Sequence, residues 1–138
     1  MMNIYFAGSI CGGRQDQQLY YRVIQHLKQY GTVVTEHIGD HTVTEYGEDG
    51  LDDRAIYDRD IAWLRSSDVV IAEVTLPSLG VGYEIAQAIQ LHKRVLCLYR
   101  PQEKKRLSAM IAGCPEVTTA QYSSLEQAKR IIDGFLKA

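Results

Sequence analysis

The residues of this chain best suited to chemistry are a carboxylate and two glycine-rich turns. Glu84 closes the stretch Pro77-Ser-Leu-Gly-Val-Gly-Tyr-Glu84, which carries the chain from an apolar run into a helix-like segment. A carboxylate in the first turns of a helix is held ionised by the positive helix end and is poised as a nucleophile. An acid in a first turn also serves helix stability alone, so position by itself leaves both readings open. The other turn, Gly8-Ser-Ile-Cys-Gly-Gly-Arg14, follows a second apolar run. Its glycines let backbone amides approach an anion, Ser9 adds a hydroxyl, and Arg14 offers a charge-assisted fork. The pattern is neither GxxxxGK[ST] nor GxGxxG, and an ordinary strand-to-helix turn is the competing reading. Asp60 shares a helix face with Tyr57; such carboxylates are commonly solvated or paired, here with Arg59 or Arg65. His37 follows a short strand, where it lines a ligand pocket or sits in a solvated loop.

The elements that must position these groups alternate between strand and helix patterns. Residues 3–8 read as a first strand and 32–35 as a second. The run 68–73 reads as a third strand covered on both faces, 95–99 as a fourth, and 117–122 as an edge strand. Between them, Leu19, Tyr20, Val23, Ile24 and Leu27 mark a helix over 16–30 that Gly31 ends. Asp52 or Asp53 caps a helix with the stripe Ile56, Ile61, Trp63 and Leu64. Ile85, Ala86, Ala88 and Ile89 continue the helix of Glu84 to Lys93-Arg94. His26 and His92 fall in helix patterns with solvent-facing placement expected. Leu107-Ser-Ala-Met-Ile111 is a short helical segment, and Ser123-Ser-Leu-Glu126 is a capping-box signature for a last helix. Residues 38–51 carry few apolar anchors and read as a loop or lid.

This order predicts a Rossmann-like α/β fold, a single domain over residues 1–138 with a parallel sheet of about five strands and helices on both faces. Ligands of such sheets gather at the carboxyl ends of the strands. The two glycine turns leave the first and third strands there, and as neighbours they would form one phosphate pocket bordered by Tyr5 and Glu84.

Composition narrows the function. The 138 residues suffice for a hydrophobic core without staples, and 15 basic against 17 acidic side chains argue against a nucleic-acid polymer or an electrostatic membrane anchor. No apolar run has the length of a membrane span or signal peptide, so a cytoplasmic protein is expected. Three cysteines, Cys11, Cys97 and Cys114, lack CxxC spacing and are expected to be reduced thiols without a catalytic role. The four histidines, which include His41, show no paired metal spacing, so no metal is expected.

Taken together, Tyr5-Phe-Ala-Gly-Ser-Ile10 with Gly12-Gly-Arg14, Thr35-Glu-His37, Pro77-Ser-Leu-Gly-Val-Gly-Tyr-Glu84 and Leu107-Ser-Ala-Met-Ile111 resembles the 2′-deoxynucleoside 5′-monophosphate N-glycosidases. These belong to the nucleoside 2-deoxyribosyltransferase superfamily, and the resemblance runs from Asn3 to about Gly113. It implies hydrolysis of the N-glycosidic bond of a deoxynucleoside monophosphate, without metal or redox cofactor. Glu84 would be the nucleophile, Asp60 its acid/base partner, and Tyr5 would orient Glu84 and crowd a ribose 2′-hydroxyl. The phosphate would lie among Gly8, Ser9, Ile10, Cys11, Gly12, Gly13 and Arg14, with Ser78, Gly80 and Ser108. The resemblance also implies a homodimer in which Ser108 reaches the neighbouring site with Met110 close by. His37 and Ile10 would flank the base. The family carries arginine where this chain has Cys11, which leaves more of the phosphate charge to Arg14. Two alternatives stand beside this reading: a nucleoside 2-deoxyribosyltransferase, and a non-catalytic nucleotide-binding module.

Overall fold

The computed structural model describes residues 1–9, 16–35 and 51–138. Ile10, Cys11, Gly12, Gly13, Arg14 and His37, with most of the expected lid, lie outside the described residues. The strands are β1 (Met2–Ala7), β2 (Gly31–Val33), β3 (Val69–Glu73), β4 (Arg94–Tyr99) and β5 (Thr118–Gln121). They form one five-stranded sheet in the order β2-β1-β3-β4-β5. Every pairing is parallel, and Tyr5 stands beside Val70, which stands beside Val95. The first and third strands are therefore neighbours, and their carboxyl ends lie side by side.

Period-two alternation divides the strand residues between two cores. One face gathers Ile4, Phe6, Val69, Ile71, Leu96 and Leu98 under α1 (Gln17–Leu27) and α5 (Leu125–Lys137). These helices bury Tyr20, Val23, Ile24 and Leu27, and Ala128, Ile132 and Leu136, at the three-and-four spacing that aims one stripe inward. The other face gathers Tyr5, Ala7, Val70, Ala72, Val95 and Cys97 under α2 (Asp53–Ser66) and α3 (Leu79–Gln90). Here α3 supplies Val81, Ile85 and Ala88, while α2 buries only Leu64. Ile56, Ile61 and Trp63, expected in the same stripe, are half-buried. A last short helix, α4 (Ala109–Ala112), follows β4.

Several boundaries differ from expectation for local physical reasons. Gly31 does not end α1; the helix stops at Leu27 and Gly31 opens β2. A Cβ on Gly31 would stand 2.0 Å from the carbonyl oxygen of Met2, so the strand contact itself demands glycine. β2 ends at Val33 because a side chain takes over its pairing: Thr35 Oγ1 accepts from the Phe6 amide at 2.8 Å and donates to the Phe6 carbonyl at 2.7 Å. α3 ends at Gln90, and His92 lies beyond it with φ 59°, a left-handed helix stop rather than a helical residue. His26 is in α1 but does not face solvent freely; its Nε2 lies 2.7 Å from Asp133 Oδ1 on α5, which also accepts from the Tyr30 hydroxyl at 2.5 Å. The last capping box sits one residue later than the signature. Ser124 Oγ accepts from the Gln127 amide at 3.2 Å, and Gln127 Oε1 accepts from the Ser123 amide at 2.8 Å.

Candidate active site

Tyr5 is wholly buried at the middle of β1, on the face covered by α2 and α3. Its hydroxyl donates to Glu84 Oε2 on α3. Val81, Ile85 and Ala88 dock α3 on the sheet and leave Glu84, half-buried, turned along the crevice above β1 and β3. Burial pushes the Tyr5 phenol far above its usual range, and the charge and hydrogen bond of Glu84 and the charge of Asp60 push it further, against Arg59. Tyr5 is thus a fixed O–H donor, and Glu84, Asp60 and Arg59 share its electrostatic surroundings.

Asp60 comes from α2, whose N-terminus is fixed by Asp52 accepting the Ala55 amide at 2.8 Å. Arg59 Nε and Nη2 both approach Asp60 Oδ1, at 3.0 and 2.9 Å. The Arg59 guanidinium also lies 4.6 Å from the Trp63 ring centroid, so the aromatic ring steers the cation and the cation steers the carboxylate. Sequence reasoning offered Arg59 only as a generic ion-pair partner. Tyr57, one turn before Asp60, meets Tyr83 across the helices with hydroxyls 3.3 Å apart.

The turn after β3 ends on Ser78, the N-cap of α3, whose Oγ accepts from the Val81 amide at 3.2 Å. Gly80 follows in the first turn of that helix. Ser9 is buried behind Gly8, and its amide donates to the Tyr20 hydroxyl at 3.2 Å. Gly8 is glycine because the Tyr20 ring passes 2.9 Å from where a Cβ would stand. Ser108 caps α4 by accepting from the Met110 amide at 3.2 Å, and Met110 is 82% exposed. A groove of about 640 Å³ runs between α3 and α4, lined by Ser78, Leu79, Ile85, Leu107, Ser108 and Met110 among others. Within one chain, Ser108 and Met110 therefore line the outer side of α3 rather than the Tyr5–Glu84 contact.

Among the described residues no three His, Cys, Asp or Glu side chains gather as a metal site would require. Among them too, no helix is long and apolar enough to cross a membrane. Cys97 is a free, buried thiol that burial pushes up to about 12, away from the thiolate form.

A polar cluster that sequence reasoning missed lies at the same end of the sheet. Glu73, at the end of β3, is wholly buried and accepts from the Tyr122 hydroxyl and from both the amide and hydroxyl of Thr75. Its burial pushes the carboxyl up, against the hydrogen bonds from Tyr122 and Thr75 and the charge of Arg100. The available signal was alternation: Glu73 falls in phase with Val69 and Ile71, on the core face.

A parallel α/β sheet with a tyrosine-held carboxylate and a helix N-cap at its carboxyl edge belongs to the class of folds that binds small molecules at strand ends. The chain belongs to the nucleoside 2-deoxyribosyltransferase family, whose description matches residues 4–130. It is 56% identical over 112 residues to 5-hydroxymethyl-dUMP N-hydrolase of Danio rerio, covering 81% of this chain and 78% of that one. The human protein of the same name is 44% identical over 138 residues, covering 98% of this chain and 79% of the relative. Among solved structures, a CMP N-glycosidase from Clostridium botulinum superposes with a TM-score of 0.69 at 18% identity, over 96% of this chain and 98% of that one. That last likeness is one of fold.

Proposed function

We propose that this protein hydrolyses the N-glycosidic bond of 2′-deoxynucleoside 5′-monophosphates, yielding a free base and 2-deoxyribose 5-phosphate. The observation that carries the reading is the buried Tyr5 hydroxyl donating to Glu84, in a chain whose relatives are named for this reaction. A carboxylate oxygen of Glu84 attacks C1′ as the C1′–N bond breaks, and the bonding pair leaves on the base nitrogen with a proton from Asp60. Water then attacks C1′, its proton passing to Asp60, and the Glu84 carboxylate is released. Tyr5 orients the nucleophile and occupies the space a 2′-hydroxyl would need. Substrate phosphate binds beside Gly8, Ser9, Ser78 and Gly80, together with Arg14 and its neighbours Ile10, Cys11, Gly12 and Gly13; His37 and Ile10 flank the base. Among the described residues a Cβ on Gly80 would meet only Ser78 Oγ, at 3.8 Å, and in this reading glycine there serves close approach by the phosphate.

The test is a panel of deoxynucleoside and ribonucleoside monophosphates, 5-hydroxymethyl-dUMP among them, with release of free base followed. Deoxynucleotides are expected to be cleaved at least about a hundredfold faster than ribonucleotides. Equal rates would refute the role given to Tyr5. A new nucleotide formed when a second free base is added would mark a transferase instead, the reaction for which the family is named.

The active unit in this reading is a homodimer in which Ser108, with Met110, reaches the phosphate of the neighbouring site. Leu79 is 97% and Met110 82% exposed on the groove between α3 and α4, an apolar surface suited to a second copy. Sedimentation at micromolar concentration should give twice the chain mass; a monomer that is fully active would remove the partner from the site. The free thiols of Cys97 and Cys114 suit a reducing compartment, and we place the enzyme in the cytoplasm.

A further inference from the structure

The start of α1 and the end of β4 are joined by an ion pair that the proposed reaction does not use. Arg100 stands just after β4, and its Nη2 lies 2.7 Å from Asp16 Oδ2. The backbone amide of Arg100 donates to Thr75 Oγ1 at 3.0 Å, and that hydroxyl donates to Glu73 Oε2 at 2.7 Å. The Asp16 and Arg100 side chains are 11% and 30% exposed. Asp16 occupies the N-cap position of α1 but makes no side-chain capping bond there. Aspartate at that position ordinarily accepts from the amides of the first turn. Here it has been turned from its helix toward Arg100, so its partner is a charge rather than a peptide group.

We infer that Arg100 is a positioning residue for the substrate phosphate: it cancels the Asp16 charge at the start of α1, beside the crevice bordered by Ser9, Ser78 and Gly80. The inference rests on the phosphate reading given above. The Asp16 charge already acts on the Tyr20 hydroxyl that accepts from the Ser9 amide, so a phosphate dianion beside Ser9 meets the same field, and an uncancelled carboxylate there weakens binding by roughly tenfold or more. Glu73 poses less of this problem. It lies deeper, its hydrogen bonds come from Tyr122 and Thr75, and burial favours its neutral form. Asp16 is the carboxylate that needs a cation, and Arg100 is anchored through Thr75 to the same turn that leads to Ser78.

The experiment measures binding of inorganic phosphate and of 2-deoxyribose 5-phosphate by calorimetry, alongside steady-state kinetics. Arg100→Met should weaken both ligands by about tenfold or more and raise KM by the same factor, with kcat changed less than about threefold. Arg100→Lys should retain most of the affinity. The double variant Asp16→Asn with Arg100→Met should return to within about threefold of the unaltered protein, because the charge and its canceller are removed together. A double variant as weak as Arg100→Met overturns the inference, as does an unchanged KM in the single variant. If Arg100→Met does not fold, Asp16→Asn alone decides: binding at least as tight as in the unaltered protein supports the inference, and tenfold weaker binding overturns it. Unaltered protein that binds phosphate but releases no base from any monophosphate would sink the proposed reaction and leave this comparison standing.

Discussion

Glu84→Gln is expected to bind deoxynucleoside monophosphate with little change and to release base at least about 10⁴-fold more slowly, since an amide cannot form the glycosyl ester. Glutamine keeps the shape of the side chain and can still accept the Tyr5 hydrogen bond through its carbonyl oxygen. The variant therefore separates the charge and nucleophilicity of Glu84 from its packing on α3. A coupled measurement strengthens the test: acid-quenched samples of the unaltered protein should carry an added deoxyribosyl phosphate mass on the peptide containing Glu84. That species should be missing from Glu84→Gln. Base release within tenfold of the unaltered protein would eliminate Glu84 as nucleophile and leave the Tyr5–Glu84 contact as a structural bond of the core.

How far the sequence reaches depends on whether a feature is set by local periodicity or by long-range contact. The apolar run after Asp68 is buried on both faces as β3, and Asp68 closes the start of the ladder by accepting the Asn3 amide at 2.8 Å. Ser78 caps the helix of Glu84, as the turn chemistry requires. The apolar pattern of β3 and the Ser78 cap are short-range effects, whereas the Asn3–Asp68 bond spans 65 residues. What local pattern misread was decided elsewhere in the chain: Gly31 by the approach of Met2, and the end of β2 by Thr35, while among the described residues α2 buries only Leu64. In the candidate site, the motif resemblance and not local pattern pointed to Tyr5 with Glu84. The Tyr5–Glu84 contact joins residues 79 apart in sequence, and Arg100 with Asp16 joins residues 84 apart. A pairing across that distance is set by strand order, which periodicity does not specify. Glu73 was legible in principle, since strand alternation alone turns it inward.

Asp60→Asn should separate the two chemical roles assigned to one carboxylate. The expected loss is about 10²- to 10⁴-fold in kcat/KM, the usual contribution of a positioned acid or base. Its size should depend on the leaving base. A pyrimidine carrying an electron-withdrawing 5-substituent leaves with less need of a proton, so cleavage of its deoxynucleoside monophosphate should fall least. Asparagine preserves an oxygen that can accept from Arg59, whose approach to Oδ1 and stacking on Trp63 hold residue 60 in place. Gross rearrangement of α2 is therefore not expected, and an unchanged melting temperature would confirm it. A uniform loss across good and poor leaving bases would count against proton donation and reduce Asp60 to a charge that shapes the field around Tyr5 and Glu84. A graded loss would fix Asp60 as the group that meets the departing base, and place Arg59, which no sequence signal distinguished from an ordinary surface cation, as the residue that aims it.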